Sequence, residues 1–484
     1  MATKAKFSQL LAYGVGQIPI SIKGYLFGAP IIYFYNDVLG LEAWWASLAL
    51  AIAMVVDGFT DPILGYLSDY TKSRWGRRHP YIFLSIIPSA LFFFLLLTVD
   101  QSESQLALFV QLLTLTIGVR VAWTFYQVPR EALGAEISKD YEQRNQLHGF
   151  NSMFGWIAGP ITAYLFLNAL GDSYQNLSAY HALAMWGALT ILVVGFFFAF
   201  TTARQIPNLE APKASLPGSA RAMFRDIFST LNHKSWLSLF WSGVVFSLFV
   251  GLTIGLEFYW NTYFWDWKPA DVAIFPVVAM GGALIISAFA GPLARGYDKK
   301  KLAIGLFVVS IVIGPSLLIL RLLDLHYGIQ ILPPNGEKYG LLWWVMLAHG
   351  FFSANVAVLA WILVGSMNAD VVEDSQTSTG RRSEGLFFAG PNLIQKAISG
   401  VGLMAKGPLL YFVGFQAAAS TADKTLAIQD LALVVAVLSV IMPAICLYLL
   451  SKYQITRAQH QGNLSGLGYR DEVSSAPPHN IPAK

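Results

Sequence analysis

The sequence predicts an all-α membrane protein with twelve transmembrane helices in two six-helix halves and both termini in the cytoplasm. Hydrophobic residues make up 55% of the 484-residue chain and charged residues only 12%, about half the charged fraction of a soluble domain. Apolar runs of the roughly 20 residues needed to cross a bilayer recur along nearly the whole chain. Lysines and arginines cluster in alternate connections between these runs.

Hydropathy places the twelve spans near residues 10–38, 43–69, 81–99, 105–135, 147–170, 179–202, 236–265, 270–294, 301–323, 341–368, 384–414 and 425–451. The even-to-odd connections are basic, with Arg77 and Arg78 as examples. The opposite connections are short and carry acidic residues such as Asp172 and Asp271. The positive-inside rule therefore predicts cytoplasmic termini and a multi-pass protein of the cell (plasma or inner) membrane.

Four regions follow from this pattern. We predict an N-terminal six-helix bundle over 1–202, a cytoplasmic linker with an interfacial helix over 203–235, a C-terminal six-helix bundle over 236–452, and a polar cytoplasmic tail over 453–484. The halves resemble each other, since a basic cluster follows both Gly65–Asp69 and Gly291–Arg295. Duplicated six-helix halves are typical of the major facilitator fold, in which the binding site lies between the halves at mid-depth.

Composition also excludes several classes of protein. The net charge of +4 comes from loop residues, so we expect no nucleic-acid partner. The single cysteine, Cys446, rules out a disulfide framework and a thiolate metal site. No Walker loop, metal-binding His/Cys cluster or nucleophile elbow is visible, so we expect neither an enzyme nor a cofactor. We expect a monomer that contacts membrane lipid, carries a small-molecule solute and has no cleaved signal peptide.

Two carboxylates lie in the apolar run that begins near Ala43. Asp57 and Asp61 are spaced i, i+4, so a helix places them one turn apart on one face, with the Thr60 hydroxyl beside them. A carboxylate in hydrocarbon is costly unless it is paired, protonated or bound to an ion. Because oxygen ligands suit hard cations, we predict a coupling-cation site, for Na⁺ if the protein is sodium-coupled. The alternative is that each aspartate caps a helix or pairs with a neighbouring basic residue.

Polar residues of other spans also fall near mid-depth. Arg120, Thr124 and Gln127 are spaced i, i+4, i+7 and share one face of the fourth span. Arg120 is a candidate solute contact, with a structural ion pair to the aspartates of the second span as the alternative. Lys23 in the first span is another candidate, with a counter-ion role or contacts to helix carbonyls as alternatives.

The eleventh span carries Lys396 near mid-depth, next to Asn392 and Gln395. All three are candidate solute contacts from the C-terminal half. The alternative for Lys396 is a plain charge pair between the halves. Such a pair would itself act as a gate if it broke when the cation binds.

Several motifs together identify a family resemblance. They are Phe34–Leu41 (FYNDVLGL), Asp57-x-x-x-Asp61-Pro62, Ser68-Asp69, Ser73–Pro80 (SRWGRRHP), Glu142-x-Arg144 and Arg382-x-Glu384-Gly385. This set resembles the glycoside–pentoside–hexuronide:cation symporters, the melibiose-permease branch of the major facilitator superfamily. The resemblance covers about the whole chain and implies symport of a sugar-like solute with Na⁺, H⁺ or Li⁺.

The resemblance also implies roles for particular residues. The family's cation carboxylates fall on Asp57 and Asp61, its cation-site threonine on Thr124, and its span-eleven lysine on Lys396. The solute-recognition positions differ from melibiose permease, because two aspartates and one arginine of that protein are replaced here by Ser21, Gln127 and Ser152. The carboxylates that recognise galactosides in melibiose permease are therefore missing here.

We expect a secondary active transporter that couples a sugar or glycoside to Na⁺ or H⁺ by alternating access. The cations Lys23, Arg120 and Lys396 outnumber the carboxylates Asp57 and Asp61, which favours an acidic sugar as solute because a buried unpaired cation is expensive. The alternative solute is an amphiphilic anion such as a lysolipid, since animal lysolipid symporters share these motifs. A lipid carrier would need a continuous apolar wall, and a sugar carrier would need aromatics interleaved with amides and hydroxyls.

Overall fold

Helices form all the regular secondary structure that the computed structural model contains in its described residues. Those residues are 7–99, 104–137, 141–204, 233–294, 298–379, 384–417, 420–456, 459–460 and 462–463. The predicted all-α class is confirmed. The predicted interfacial helix of the linker and most of the predicted tail lie outside the described residues, so the four-region division stays a prediction.

In the N-terminal half, the first predicted span is divided into short pieces. The helices are α1 (Phe7–Val15), α2 (Ile18–Gly28), α3 (Pro30–Tyr33) with a π-helical turn (Phe34–Val38), α4 (Ala43–Tyr70), α5 (His79–Leu96), α6 (Gln105–Ile137), α7 (Tyr141–Leu170) and α8 (Leu177–Ala203). Pro19 and Pro30 lie in the first turns of α2 and α3. A proline is tolerated there, because its missing N–H would have had no helical partner.

The C-terminal half repeats this arrangement. Its helices are α9 (Lys234–Thr253), α10 (Glu257–Tyr259) with a π-helical turn (Trp260–Phe264), α11 (Pro269–Val272), α12 (Phe275–Ala294), α13 (Lys299–Ile313), α14 (Ser316–Tyr327), α15 (Leu341–Thr379), α16 (Glu384–Phe412) and α17 (Thr421–Ser451). A 3-10 turn (Phe415–Ala417) joins α16 to α17.

Ten helices among the described residues are long and apolar enough to cross a membrane. The divided first span and α16 are not among these ten. No single piece of the first span reaches the length that a bilayer requires. The count of twelve spans and the cytoplasmic position of the termini therefore stay predictions.

The structure contains a repeat that hydropathy does not reveal. The two π-helical turns, Phe34–Val38 and Trp260–Phe264, begin 226 residues apart. At the same separation, Gly40 (φ 79°) and Asp266 (φ 53°) both adopt the left-handed conformation. Gly65 and Gly291, which mark the sequence repeat, are also 226 residues apart. Local geometry thus supports the duplication inferred from sequence.

Contacts at the predicted outer end join the two halves. The Tyr259 hydroxyl donates to Asn36 Oδ1 at 2.6 Å, and the Tyr263 hydroxyl donates to the Asp37 carboxylate at 2.9 Å. The Lys424 ammonium lies 2.7 Å from Asp37 Oδ1. Deeper in the membrane, α4 packs along α16 and α7 packs along α12. The interface between the halves therefore includes α4, the helix that carries both predicted cation-site aspartates.

Candidate functional site

Two neighbouring helices of the N-terminal half bring the predicted cation-site residues together. Asp57 and Asp61 lie one turn apart on α4, and Arg120 and Thr124 lie one turn apart on α6, which packs along α4. Both helices are apolar along most of their length. The polar cluster therefore lies inside an otherwise hydrophobic helix pair, where its members must satisfy one another.

An ion pair connects the two helices. Arg120 Nη1 lies 3.1 Å from Asp57 Oδ2, and both residues are buried, with 8% and 6% of their surface exposed. The guanidinium also stacks over the ring of Phe27 at 5.0 Å. Its Nε has no hydrogen-bond partner in the described part of the chain. The ion pair that was the structural alternative for Arg120 is thus present, but it leaves one buried donor of the guanidinium unsatisfied.

Oxygen atoms surround the Thr124 hydroxyl, and we call the group formed by Asp57, Thr60, Asp61 and Thr124 the oxygen cluster. Its Oγ1 lies 3.0 Å from Asp61 Oδ1, 3.3 Å from Asp57 Oδ1 and 3.3 Å from Thr60 Oγ1. The Arg120 carbonyl oxygen lies 3.1 Å away. A hydroxyl has one proton to donate, so it cannot satisfy all these acceptors at once. The cluster is therefore rich in lone pairs, a chemistry that suits a hard cation.

The Lys23 ammonium lies 5.7 Å from the centre of the Trp123 ring, within cation–π distance. Trp123 is one residue before Thr124, so Lys23 contacts the same helix, α6, that contributes to the oxygen cluster. The Trp123 Nε1 is buried and has no hydrogen-bond partner among the described residues. The first span therefore adds a cation beside α6.

The positions that differ from melibiose permease have other neighbours. Ser21 Oγ donates to the Gly155 carbonyl at 3.2 Å, and Gln127 Nε2 donates to Glu131 Oε1 at 2.8 Å. Ser152 is exposed on α7. The first of these hydrogen bonds links α2 to α7 and the second stays within α6, and neither reaches the oxygen cluster. The proposed solute role of all three residues stays a prediction.

The structure gives the path of α16 but not the side chains of residues 384–397, so the predicted contacts of Asn392, Gln395 and Lys396 lie outside the described residues. The backbone is informative nevertheless. Gly400 lies one turn after Lys396 and faces Met54. A Cβ atom built on Gly400 would lie 3.5 Å from the Cβ atom of Met54. Met54 lies about one turn before Asp57, so α16 passes α4 within about one turn of Asp57. The role of Lys396 stays a prediction.

A buried arginine was missed by the sequence reasoning. Arg130 is 1% exposed, and its guanidinium donates to the Gln17 side chain and to the Tyr13 carbonyl, each at 3.0 Å. It also donates to Asn151 and lies 4.5 Å from the centre of the Tyr13 ring. Arg130 thus ties α6 to α1 and α7. The signal was available in the sequence, as a second arginine in the fourth span, but its partners come from distant segments.

The basic motif after α4 has a partner in the same half. Arg77 Nη2 and Arg78 Nε lie 2.7 Å and 3.0 Å from Glu136 Oε1 at the end of α6. Arg78 also pairs with Asp69 and donates to Ser68 at 2.6 Å. These contacts hold α4, α5 and α6 together at the predicted cytoplasmic end, below the oxygen cluster.

Known proteins resemble this chain in sequence and in fold. The family described as MFS/sugar transport protein matches residues 12–457. The inner membrane symporter YicJ of Escherichia coli is 24% identical, over 91% of this chain and 89% of that protein. The isoprimeverose transporter of Lactiplantibacillus pentosus is 23% identical, over 85% of this chain and 81% of that protein. A crystal structure of the nucleoside transporter NupG has a TM-score of 0.58 at 12% identity, covering 92% of this chain and 99% of that one.

The family match carries the major facilitator fold, with which the structural likeness agrees. The symporter relatives agree with the glycoside–pentoside–hexuronide:cation branch that the motifs indicated. They also agree with a transporter, as opposed to an enzyme, in the cell membrane. Nearly the whole chain, including the helices that bear Asp57, Asp61, Arg120 and Thr124, lies within the matched region. The chain therefore belongs to the MFS/sugar transport protein family.

Proposed function

We propose that the protein is a symporter that imports a glycoside or an acidic sugar together with Na⁺ or H⁺. The observation that carries this proposal is the cluster in which Asp57, Asp61, Thr60 and Thr124 present oxygen atoms to one another while Arg120 binds one of the carboxylates. The cluster contains two carboxylates and one guanidinium, so a coupling ion bound among its oxygens would neutralise its net negative charge.

The geometry supports a specific coupling mechanism. Arg120 and a coupling cation compete for Asp57, because both neutralise the same carboxylate. An anionic group that binds Arg120 would weaken its hold on Asp57 and make that carboxylate a better cation ligand. By linkage, the bound cation must strengthen solute binding by the same factor. Arg120 would thus transmit the state of one site to the other.

Three features favour a solute with a carboxylate or similar group. The Arg120 Nε is buried and unsatisfied in the described part of the chain, so an acceptor placed there would remove a desolvation cost. Arginine can bind a carboxylate through two parallel hydrogen bonds. Lys23 supplies a second positive charge beside α6. We assign solute contact also to Ser21, Gln127 and Ser152, and from the other half to Asn392, Gln395 and Lys396.

Transport into proteoliposomes tests the proposal. Uptake of radiolabelled glucuronide and of a neutral glucoside would be measured with an imposed Na⁺ gradient and, separately, with a pH gradient. We expect one gradient to drive accumulation and the glucuronide to be preferred. Arg120→Gln should remove that preference, whereas Thr116→Val, a buried change one turn earlier on α6, should keep it. Gradient-independent uptake, or an unchanged preference in Arg120→Gln, would refute the mechanism.

A further inference from the structure

The C-terminal half contains a cavity of about 560 Å³ that is separate from the oxygen cluster. It lies between α9, α13, α14, α15 and α17. Trp260 and Trp265 line one end, and Leu239 and Leu450 line the other. Protein interiors are close-packed and leave few voids larger than a water molecule. A volume of this size is in the range of ligand sites, which span about 300–1,000 Å³.

The cavity is long and narrow, and we call it the slot. Met346 and Val364, both on α15, belong to its lining. A helix rises 1.5 Å per residue, so these two residues are about 27 Å apart along α15. The hydrocarbon core of a bilayer is about 30 Å thick, which means that the slot extends over nearly the full membrane depth. A compact sugar would occupy only a fraction of that length.

The lining is apolar along most of this length. The aromatic part of the wall includes Phe246, Phe249 and Phe307. The described residues that line the slot include no carboxylate, no lysine and no arginine. A sugar ring needs hydrogen bonds around its edge, and burying its hydroxyl groups here would be costly. An alkyl chain needs none.

Polar side chains interrupt the wall at several positions, and two of them, His349 and Ser353, lie one turn apart on α15. The lining hydroxyls of Ser242 and Thr253 donate to main-chain carbonyls. The ladder of α13 ends at Ile313, before Pro315, and His349 Nε2 binds the Ile313 carbonyl at 2.7 Å. One turn along α15, the Ser353 hydroxyl is buried and has no hydrogen-bond partner among the described residues. The slot thus combines a long apolar section with a polar position at His349 and Ser353 that suits a hydroxyl or ester group.

We propose that the slot binds one linear alkyl or acyl chain, with the polar end of the ligand at His349 and Ser353. An alkyl or acyl chain of this chemistry has two sources. One is the acyl chain of a bilayer phospholipid. The other is the tail of a transported amphiphile. The gap between α9 and α15, which pack together far less closely than α9 and α17, gives the ligand a way in.

Photocrosslinking of the full-length protein in proteoliposomes tests this binding site. One probe is a phosphatidylcholine with a diazirine in its acyl chain, and the other is a long-chain alkyl glucuronide with a terminal diazirine. Ala357→Phe fills the slot from α15, and Ala348→Phe adds the same ring at an exposed position of the same helix. Adducts would be located by mass spectrometry, with excess unlabelled lipid or alkyl glucuronide as competitor.

We expect adducts on slot-lining residues of α15 that the unlabelled competitor suppresses. Their yield should be about tenfold lower in Ala357→Phe, because the added ring excludes the alkyl chain from the slot. It should be unchanged in Ala348→Phe. Labelling by the phospholipid probe alone identifies a structural lipid, and labelling by the glucuronide probe identifies a solute tail. If neither probe labels slot residues above lipid-facing ones, the proposal is wrong. Adduct positions in the wild type decide this even if Ala357→Phe fails to fold. No ion gradient is needed, so a failure of symport leaves this result unaffected.

Discussion

The two halves share a scaffold but differ in what fills their centres. In the N-terminal half, α2 carries Lys23 beside α6, which carries Arg120 opposite Asp57. In the C-terminal half, the residue 226 positions after Lys23 is Phe249, which lines the apolar slot. The same position in two duplicated helices thus holds a cation in one half and an aromatic ring in the other.

This difference shows how a duplicated bundle can divide its tasks. Buried charges are tolerated only where counter-charges are close, so coupling chemistry gains from being concentrated in one half. The other half has buried charges too, such as the Arg321–Asp324 pair beside Trp265, but the described lining of the slot includes no charged side chain other than His349 if protonated. The matching helix breaks and π-helical turns show that the backbone has the same local form at these positions of both halves, while the side chains differ.

The largest effect should come from removing the charges of the N-terminal half. Asp57→Asn and Asp61→Asn should each abolish cation-driven accumulation, because an amide cannot neutralise a cation. Solute exchange, which needs no net cation flux, should survive in part. Uptake and exchange would be compared in proteoliposomes, with Asp266→Asn as an exposed control of the same chemistry. Undiminished accumulation in either mutant would remove the cation-site assignment.

A smaller but still large effect should come from adding charge to the C-terminal half. Phe249→Lys places in the slot the residue that occurs at the matching position of the N-terminal half. The described lining offers no carboxylate, so we expect the free energy of unfolding to fall by roughly 3 kcal/mol. Phe249→Leu should cost about 1 kcal/mol, because only packing is lost. Thermal unfolding in detergent would measure both, and equal losses would show that charge is not the deciding factor.

Two buried threonines of α6 offer a finer comparison within the N-terminal half. Thr124→Val removes one oxygen from the cluster, and we expect about tenfold weaker apparent affinity for the coupling cation, equivalent to about 1.4 kcal/mol. Thr116 Oγ1 has no hydrogen-bond partner among the described residues, so Thr116→Val should leave cation affinity unchanged. Cation titrations of uptake would show the difference. A similar loss in both variants would mean that Thr124 acts only through helix packing.

The smallest effect concerns the paired left-handed residues. Gly40 has φ 79° and Asp266 has φ 53°, and a Cβ built on Gly40 meets no atom within 4 Å. Gly40→Ala should therefore lower stability by about 1 kcal/mol through backbone strain alone. Asp266→Gly should relieve strain, with a gain reduced by the extra freedom of glycine in the unfolded chain. Melting temperatures should shift in opposite directions, and shifts of the same sign would contradict this account.

Sequence patterns predicted the fold class, and helical spacing placed Asp57 with Asp61 and Arg120 with Thr124 on one face of their helices. That Thr124 joins the two aspartates was implied by the family resemblance. The patterns did not predict which basic residue binds Asp57, since that choice depends on how α4 and α6 pack. The partners of Arg130 lie on α1, on α7 and at Gln17 between α1 and α2, and they were equally out of reach. The slot was invisible for another reason. An apolar residue that faces a void has the same hydropathy as one that faces a neighbouring helix.

The contact between the two halves at the predicted outer end does not rest on side chains alone. Besides its side-chain contacts, it includes a main-chain hydrogen bond, in which the Ala270 N–H donates to the Gly171 carbonyl at 3.1 Å. Substitution at 171, or at 270 by any residue except proline, keeps the two atoms of this bond, whereas the pairs of Asp37 with Tyr263 and Lys424 depend on residue identity. The free energy of this contact therefore has a main-chain part, which most substitutions leave unchanged, and a side-chain part, which substitutions alter. We therefore expect substitution of Asp37 to weaken the contact between the halves without removing all of it, and without touching the oxygen cluster.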